Sequence, residues 1–358
     1  MKILYIITSL EVGGAEKLVT DMVVRFLEKG HTIDVVVFNG IETCFTRELI
    51  KHKCKIIKFS NNGSVYNPLY IYKLIKLMKN YDIIHTHNSS PQFFAAAANI
   101  FCKKTLITTE HNTTNRRRNW KWFKPIDLWM YNQYKGIVCI SDKAFEKLTK
   151  HLPKIKANIV TIYNGVNISK FHNAGIDIGL NKAKKEFSIA MVAGFRFQKD
   201  QDTLIKAMAL LPKNKFELWL VGDGERRNEI ETLAKQLKVE DSVKFLGIRT
   251  NIPEILHTAD IIVMSSHYEG LSLSSIEGMA VGKPFVASNV DGLNEMTKDA
   301  GIMFEHGNAL ELSQIITQLS EDENYYKSIA KQCYKKALLY DESKMIDSYE
   351  NLYKSLIK

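Results

Sequence analysis

The chain has 358 residues, 45% of them hydrophobic, with a formal net charge of +10. That length exceeds one comfortable hydrophobic core and argues for two domains, while the ordinary apolar content excludes a disordered or fibrous chain. Its five cysteines (Cys44, Cys54, Cys102, Cys139, Cys333) are scattered, with neither metal spacing nor a disulfide framework, so a reducing compartment is expected.

In chain order, Met1-Lys2 leads into an apolar strand, Ile3–Ile7. This start lacks the full apolar core and cleavage site of a signal peptide and runs straight into Gly13-Gly14, so a buried first strand is expected. Gly13-Gly14-Ala15-Glu16 then opens a helix, where glycine lets a backbone amide approach a phosphate at the helix N-terminus. A dinucleotide fingerprint fails here: the third glycine is absent, and the second strand, Ile33–Phe38, ends at Asn39 with no acid to hold a ribose. Further strands are expected at Ile83–His85, Leu106–Thr109, Ile137–Ile140 and Ile159–Ile162. His85 and His87 alternate at one strand end and His111 follows the next, with no third ligand at a metal spacing. Glu110 should face away from His111 by strand alternation.

Arg116-Arg117-Arg118-Asn119-Trp120-Lys121-Trp122-Phe123-Lys124 interleaves cations with indoles, which suits an anionic membrane interface. Single-stranded nucleic acid and a solvated loop with inward-folded tryptophans are the alternatives. Charge favours an anionic surface for this half: residues 1–163 carry 25 Lys and Arg against 12 Asp and Glu, and the remainder 24 against 27. No zinc finger, RNA-recognition word or clear helix-turn-helix is present, so nucleic acid is not an expected partner. No apolar run approaches the roughly 20 residues that span a bilayer.

Residues 165–187 are low in apolar content and hold Gly165, Gly175 and Gly179, as a linker would. A second strand series is expected at Ile189–Val192, Leu218–Val221, Val243–Leu246, Ile261–Met264 and Pro284–Ala287. Continuous apolar strands alternating with helices imply parallel sheets covered on both faces. The expected division is therefore 1–164, linker 165–187, 188–340 and a helical tail 341–358. Arg196 and Lys199 follow the strand Ile189–Val192, where a loop at a strand's carboxyl end would present a guanidinium fork and an ammonium to a diphosphate. Asp200 and Asp202 form a D-x-D, but they precede a helix, and a helix cap is the expected role. In the tail, Tyr349, Leu352, Tyr353 and Leu356 mark an apolar face at helical spacing.

Glu269 and Glu277 stand eight positions apart in HYEGLSLSSIEGMAVGKPFVAS, one in a loop after a strand and the other on the helix that follows. A carboxylate can accept sugar or ribose hydroxyls, and the helix N-terminus can hold phosphate, so this segment can bind a nucleotide sugar along its length. With MKILYIITSLEVGGAEK, HTHN, TTEHN, YNGVNISKF, AGFRFQKDQDTLIKA, LVGDGERR and FLGIRTNIPEIL in this order, the chain resembles the retaining glycosyltransferases of family 4 over almost its whole length. The gap between Arg196 and Lys199 is shorter than in many of those enzymes. Ser272 stands where many have glycine, and Gly278 where alanine is common.

The resemblance implies an α/β chain of GT-B fold, with two Rossmann-like domains of parallel sheet facing across a cleft and the last helix crossing back to the first domain. It implies catalytic roles for His111, Arg196, Lys199 and Glu269, with His111 lying against the transferred sugar. Donor contacts are implied at Gly13, Gly14, Arg249, Asn251, Leu273, Ser274 and Glu277: ribose at Glu277, diphosphate at the Leu273 and Ser274 amides, and base near Arg249 and Asn251. The expected function is metal-independent, retaining transfer from a UDP-type donor to a glycan or lipid-linked glycan, for capsule, lipopolysaccharide or another bacterial surface polysaccharide. No cofactor is expected. The expected location is the inner face of the plasma membrane, touched peripherally through Arg116, Arg117, Arg118, Trp120, Lys121, Trp122 and Lys124. The rivals are a nucleotide-sugar 2-epimerase of the same fold and a non-catalytic scaffold that binds nucleotide sugar.

Overall fold

The computed structural model describes residues 1–11, 13–61, 63–111, 120–269 and 272–357. The chain forms two compact units, Met1–Asn164 with Ser343–Lys358, and Gly165–Glu342.

In the first unit the strands are β1 (Lys2–Ile7), β2 (Thr32–Asn39), β3 (Lys55–Ser60), β4 (Ile83–His87), β5 (Thr105–Glu110), β6 (Gly136–Cys139) and β7 (Asn158–Thr161). They form one parallel sheet in the order β3-β2-β1-β4-β5-β6-β7. Five consecutive residues of β1 are buried because helices cover both faces of a parallel sheet. The helix Gly14–Glu28 lays Leu18, Met22 and Phe26 on one face. The final helix, Glu342–Ile357, closes the same side with Met345, Ile346, Tyr349 and Tyr353. Tyr349 and Tyr353 are wholly buried, so their hydroxyls need partners inside the unit, which they find on β1, β4 and β5.

In the second unit the strands are β8 (Phe187–Val192), β9 (Phe216–Val221), β10 (Val243–Gly247), β11 (Ile261–Met264), β12 (Phe285–Ser288) and β13 (Ile302–Phe304). Their parallel order is β10-β9-β8-β11-β12-β13. The helix Leu273–Ala280 packs closely on this sheet at Gly278. A Cβ there would stand 2.8 Å from Ile262 Cγ2 and 3.0 Å from the Phe285 ring, so the close approach needs glycine.

The segment expected as a linker is part of the second unit. Val166, Ile168 and Phe171 are buried in its core, and residues 165–187 carry the helices Ile168–His172 and Ile178–Ala183. Polar composition hid a few well-placed apolar anchors. Two strands, β3 and β13, were not anticipated. Both are edge strands, one studded with lysine and the other three residues long.

Candidate functional site

In the second sheet the order reverses between neighbours β8 and β11. The carboxyl ends of strands at such a reversal form a crevice that binds ligands in open α/β sheets. Residues 193–200 follow β8 there, and residues 265–269 follow β11.

The β8 loop is held by the loop after β9. Phe195 N–H donates to Asp223 O at 3.0 Å, and Arg226 N–H to Phe195 O at 3.1 Å. The two backbones touch because residues 222 and 224 lack side chains: a Cβ on Gly222 (φ +135°) would fall 2.2 Å from Ala193 O, and one on Gly224 2.5 Å from Phe195 O. Arg226 grips Asp202 through two hydrogen bonds of 2.7 and 3.1 Å. Asp200, at φ 46° and ψ 51°, caps the helix Gln201–Leu210 by accepting from Thr203 N. The D-x-D is thereby split into a cap and an ion pair.

On this braced loop Lys199 Nζ donates to Glu269 Oε1. The same oxygen accepts from Ser266 Oγ at 2.7 Å, and Gln198 Nε2 lies 3.4 Å from Oε2. Only 7% of the Glu269 side chain and 19% of the Lys199 side chain are exposed, so each charge depends on the other. Arg196, three residues earlier, is exposed, and its guanidinium makes no hydrogen bond or ion pair with the described residues. The structure thus sets a paired cation and an unpaired one on one short loop.

Glu277 is buried on the helix Leu273–Ala280, whose first residues Leu273 and Ser274 are half-buried. Ser272 caps that helix by accepting from Ser275 N. Amides of a first helical turn have no partner within the helix and are available to an anion. Arg249 Nη2 and Asn251 Nδ2 both donate to Asp177 Oδ2, at 3.1 and 2.9 Å. Their side chains therefore fasten this loop to the residue that caps Ile178–Ala183.

The first sheet reverses between β1 and β4. After β1, Gly13 caps the helix Gly14–Glu28, with the Glu16 carboxylate lying over it. A Cβ on Gly14 would meet nothing within 4 Å, so internal packing does not demand glycine there. At the end of β4 and after β5 the histidines form two hydrogen-bonded sets, with the His85 and His87 rings 4.2 Å apart between them. His85 joins Tyr353 OH at 2.6 Å and Thr109 Oγ1 at 2.8 Å, so both its ring nitrogens are used. His87 Nδ1 meets His111 Nε2 at 2.8 Å, while His87 Nε2 is buried without a partner among the described residues. An orphaned acceptor costs less than an orphaned N–H. Tautomers with the proton on His87 Nδ1 and on His111 Nδ1 therefore fit best, leaving His111 an N–H to offer elsewhere. Glu110 takes the Tyr131 hydroxyl at 2.6 Å and Gln92 Nε2 at 2.9 Å.

Burial holds the His111 pKa down to about 4 and keeps those of His85 and His87 well below the usual value. The unfolded chain takes up protons below about pH 6.5, where the folded imidazoles refuse them. Stability is therefore complete above that pH and is lost as pH falls toward the folded values. Thermal midpoints should drop by several degrees between about pH 7 and pH 5, and His111→Asn should flatten the dependence. An unchanged slope in the variant would show that His111 is not held neutral by the fold.

Arg116, Arg117 and Arg118 lie outside the described residues, as does the side chain of Lys121. Trp120 and Trp122 are 50% and 68% exposed, stacked at 5.7 Å, and Lys124 is exposed beside them. Neither indole serves the core. Among the described residues no helix is long and apolar enough to cross a membrane.

Sequence reasoning missed the residues that hold the site. Gln198 and Ser266 brace Glu269, Gly222 and Gly224 let two loops touch, and His87 orients His111. It singled out Asp200 but missed its meeting with His267 and His306, the three each presenting one ligand atom, all within 4.8 Å of one another. The words LVGDGERR and HTHN carried part of this signal without its geometry.

Known proteins resemble this chain in sequence and in fold. The family model described as Glycosyltransferase Family 4 matches residues 12–170, and Glycosyl transferases group 1 matches residues 176–336. N-acetyl-alpha-D-glucosaminyl L-malate synthase of Bacillus anthracis is 24% identical, over 97% of this chain and 95% of its own. The UDP-Gal:alpha-D-GlcNAc-diphosphoundecaprenol alpha-1,3-galactosyltransferase of Escherichia coli is 26% identical, over 80% and 78%. The structure of Anabaena Alr3699/HepE in complex with UDP superposes with a TM-score of 0.86 at 22% identity, covering 99% of this chain and 100% of that one. Two family models that together take in nearly the whole chain, and this agreement of fold, lead to one conclusion: the chain belongs to the glycosyltransferases, of family 4 type and GT-B fold.

Proposed function

We propose that this chain transfers a sugar, with retention of configuration, from a UDP-sugar to a glycan or lipid-linked glycan in bacterial surface-polysaccharide synthesis. The observation that carries the reading is the pairing of Lys199 with Glu269 beside the unpaired Arg196, at the reversal of the second sheet. Fixed cations can neutralise a leaving diphosphate in place of a metal. The helix Leu273–Ala280 adds its first amides for the phosphates, and Glu277 accepts the ribose hydroxyls. Arg249 and Asn251 hold the loop that meets the base. In the first unit, Gly13 and Gly14 offer a helix end to an anion, and His111 offers its Nδ1–H to a sugar.

In the reaction the bond from the anomeric carbon to the diphosphate oxygen breaks. The acceptor oxygen bonds to the same face, and its proton passes to the leaving phosphate oxygen. Glu269, engaged by Lys199, positions the donor and is not the nucleophile. The UDP complex of the structural relative and the lipid-diphosphate acceptor in the Escherichia coli relative's name support these choices of donor and acceptor.

The test is product analysis with UDP-sugars, with and without a lipid-diphosphate glycan. An α-linked product formed only when acceptor is present supports the proposal. An isomerised nucleotide sugar from donor alone would support the epimerase, and binding without turnover the scaffold. Adding Mg²⁺ should leave the rate unchanged; a rise of about tenfold or more would assign the diphosphate to a metal.

The basic half would bring the enzyme to its acceptor at the inner face of the plasma membrane. Each basic residue near an anionic surface contributes about 1 kcal/mol, within a Debye length of about 8 Å at physiological salt. Replacing Arg116, Arg117 and Arg118 together should release the chain from anionic vesicles, as should raised salt. The exposed Trp120 and Trp122 should leave some salt-resistant binding. Transfer to a short soluble acceptor should be unaffected. If the triple variant co-sediments with vesicles as fully as the parent, the run is only a solvated loop.

A further inference from the structure

Two of the second unit's four histidines meet at one point, beside a buried aspartate. His267 Nδ1 and His306 Nε2 are 2.5 Å apart, and Asp200 Oδ2 stands 3.8 Å from the first and 3.9 Å from the second. The three residues come from three connections at the carboxyl end of one sheet: Asp200 after β8, His267 after β11 and His306 after β13. We propose that they bind a zinc-type divalent cation, which ties the loop carrying Lys199 and the loop carrying Glu269 to the turn after β13.

Three observations carry this. First, the three ligand atoms stand 2.5, 3.8 and 3.9 Å apart, and opening the shortest side to about 3.3 Å, a small shift of the exposed His306 ring, gives the spacing of tetrahedral zinc bonds of roughly 2.0–2.2 Å to imidazole nitrogen and carboxylate oxygen. Second, the carboxylate is already aimed. Asp200 sits in the left-handed region at φ 46°, unusual for a residue with a side chain, and Thr203 fixes both its oxygens, through N–H at 3.3 Å and Oγ1 at 2.6 Å. Partners that orient a ligand in this way are a regular part of metal sites. Third, without a cation the two imidazole nitrogens can share only one proton, whereas a cation takes a lone pair from each. The His267 and His306 side chains are 22% and 40% exposed, which leaves an entry path for the ion and room for a water as fourth ligand.

Two imidazoles and one carboxylate suit zinc, cobalt or nickel better than magnesium, which prefers oxygen alone. The ion is a brace, and neutralising the donor diphosphate remains with Arg196 and Lys199. His267 is one residue from Ser266 and two from Glu269, and Asp200 is next to Lys199. Fixing Asp200 and His267 therefore fixes the backbone from which the Lys199–Glu269 pair projects. The proposal stands independently of which sugar is transferred.

The experiment uses the untagged full chain, stripped by chelator and titrated with zinc, with bound metal and thermal midpoint as readouts. One zinc per chain and a midpoint that climbs with free zinc are expected. His306→Gln, on an exposed turn, should weaken zinc by about tenfold or more, and His267→Ala with His306→Ala should abolish both effects. Circular dichroism checks that each variant is folded. Cobalt separates this site from a thiolate one: an imidazole and carboxylate set gives only weak visible bands, and a thiolate ligand adds an intense near-ultraviolet band. Equal zinc uptake by parent and double variant, a thiolate band, or a midpoint that follows pH and ignores zinc would each overturn the proposal; the last would identify a proton-sharing histidine pair.

Discussion

Arg196→Ala and Lys199→Ala should each lower kcat by about 10²-fold or more, on the order of 3 kcal/mol of transition-state stabilisation. The structure separates the two variants by what else they disturb. Arg196 is exposed and makes no pair with the described residues, so its loss should leave the thermal midpoint where it was. Lys199 neutralises a carboxylate that is 7% exposed, so its removal leaves Glu269 charged and poorly solvated. Removing one partner of a buried pair costs about 3–5 kcal/mol, and the remaining exposure of Lys199 puts this case at the lower end. Lys199→Ala should therefore melt earlier than the parent, and adding Glu269→Gln should restore much of the midpoint without restoring turnover. Turnover within threefold of the parent in Arg196→Ala would remove the fixed-cation account of the leaving group.

The strands that make the two sheets were legible because a parallel sheet covered on both faces requires continuous apolar runs, as in Ile3–Ile7 and Ile261–Met264. Where that requirement lapses, so does the signal. In the edge strand Lys55–Ser60 two lysines, Lys55 and Lys58, break the apolar run, and Ile302–Phe304 is too short to show any period. The segment after Asn164 has a linker's composition, yet Val166, Ile168 and Phe171 suffice to bury it. The candidate site was legible as a set of residue types and only partly as contacts. Lys199 and Glu269 are 70 positions apart, and nothing local to either names the other. The hydrogen-bonded sets from Tyr353 through His85, and from His87 to His111, were illegible for the same reason. The first joins the last helix to two strand ends more than 200 residues earlier, and the periodicity of that helix reports only that one face is apolar.

The two glutamates should fail in different ways. Glu277→Ala should weaken UDP binding by tenfold or more, about the 1.5–3 kcal/mol of a hydrogen bond to a charged group, because the proposed contact is to the ribose. Glu269→Ala should lose sugar transfer by a similar or larger factor and bind UDP at least as well as the parent. The reason lies in its partner. With Glu269 gone, the Lys199 ammonium has lost the carboxylate oxygen it now donates to and is free to face a phosphate. Ser266 Oγ and Gln198 Nε2 lose an acceptor as well, but the backbone of the loop keeps its anchor, since Glu269 N–H still holds Asp291 O at 3.2 Å. Glu269→Gln tests the charge separately: it can keep the Ser266 hydrogen bond while withdrawing the anion from Lys199. Calorimetry with UDP beside transfer rates for the three variants makes the distinction. Equal loss of UDP affinity in Glu269→Ala and Glu277→Ala would mean that both carboxylates serve the nucleotide and that neither is reserved for the sugar.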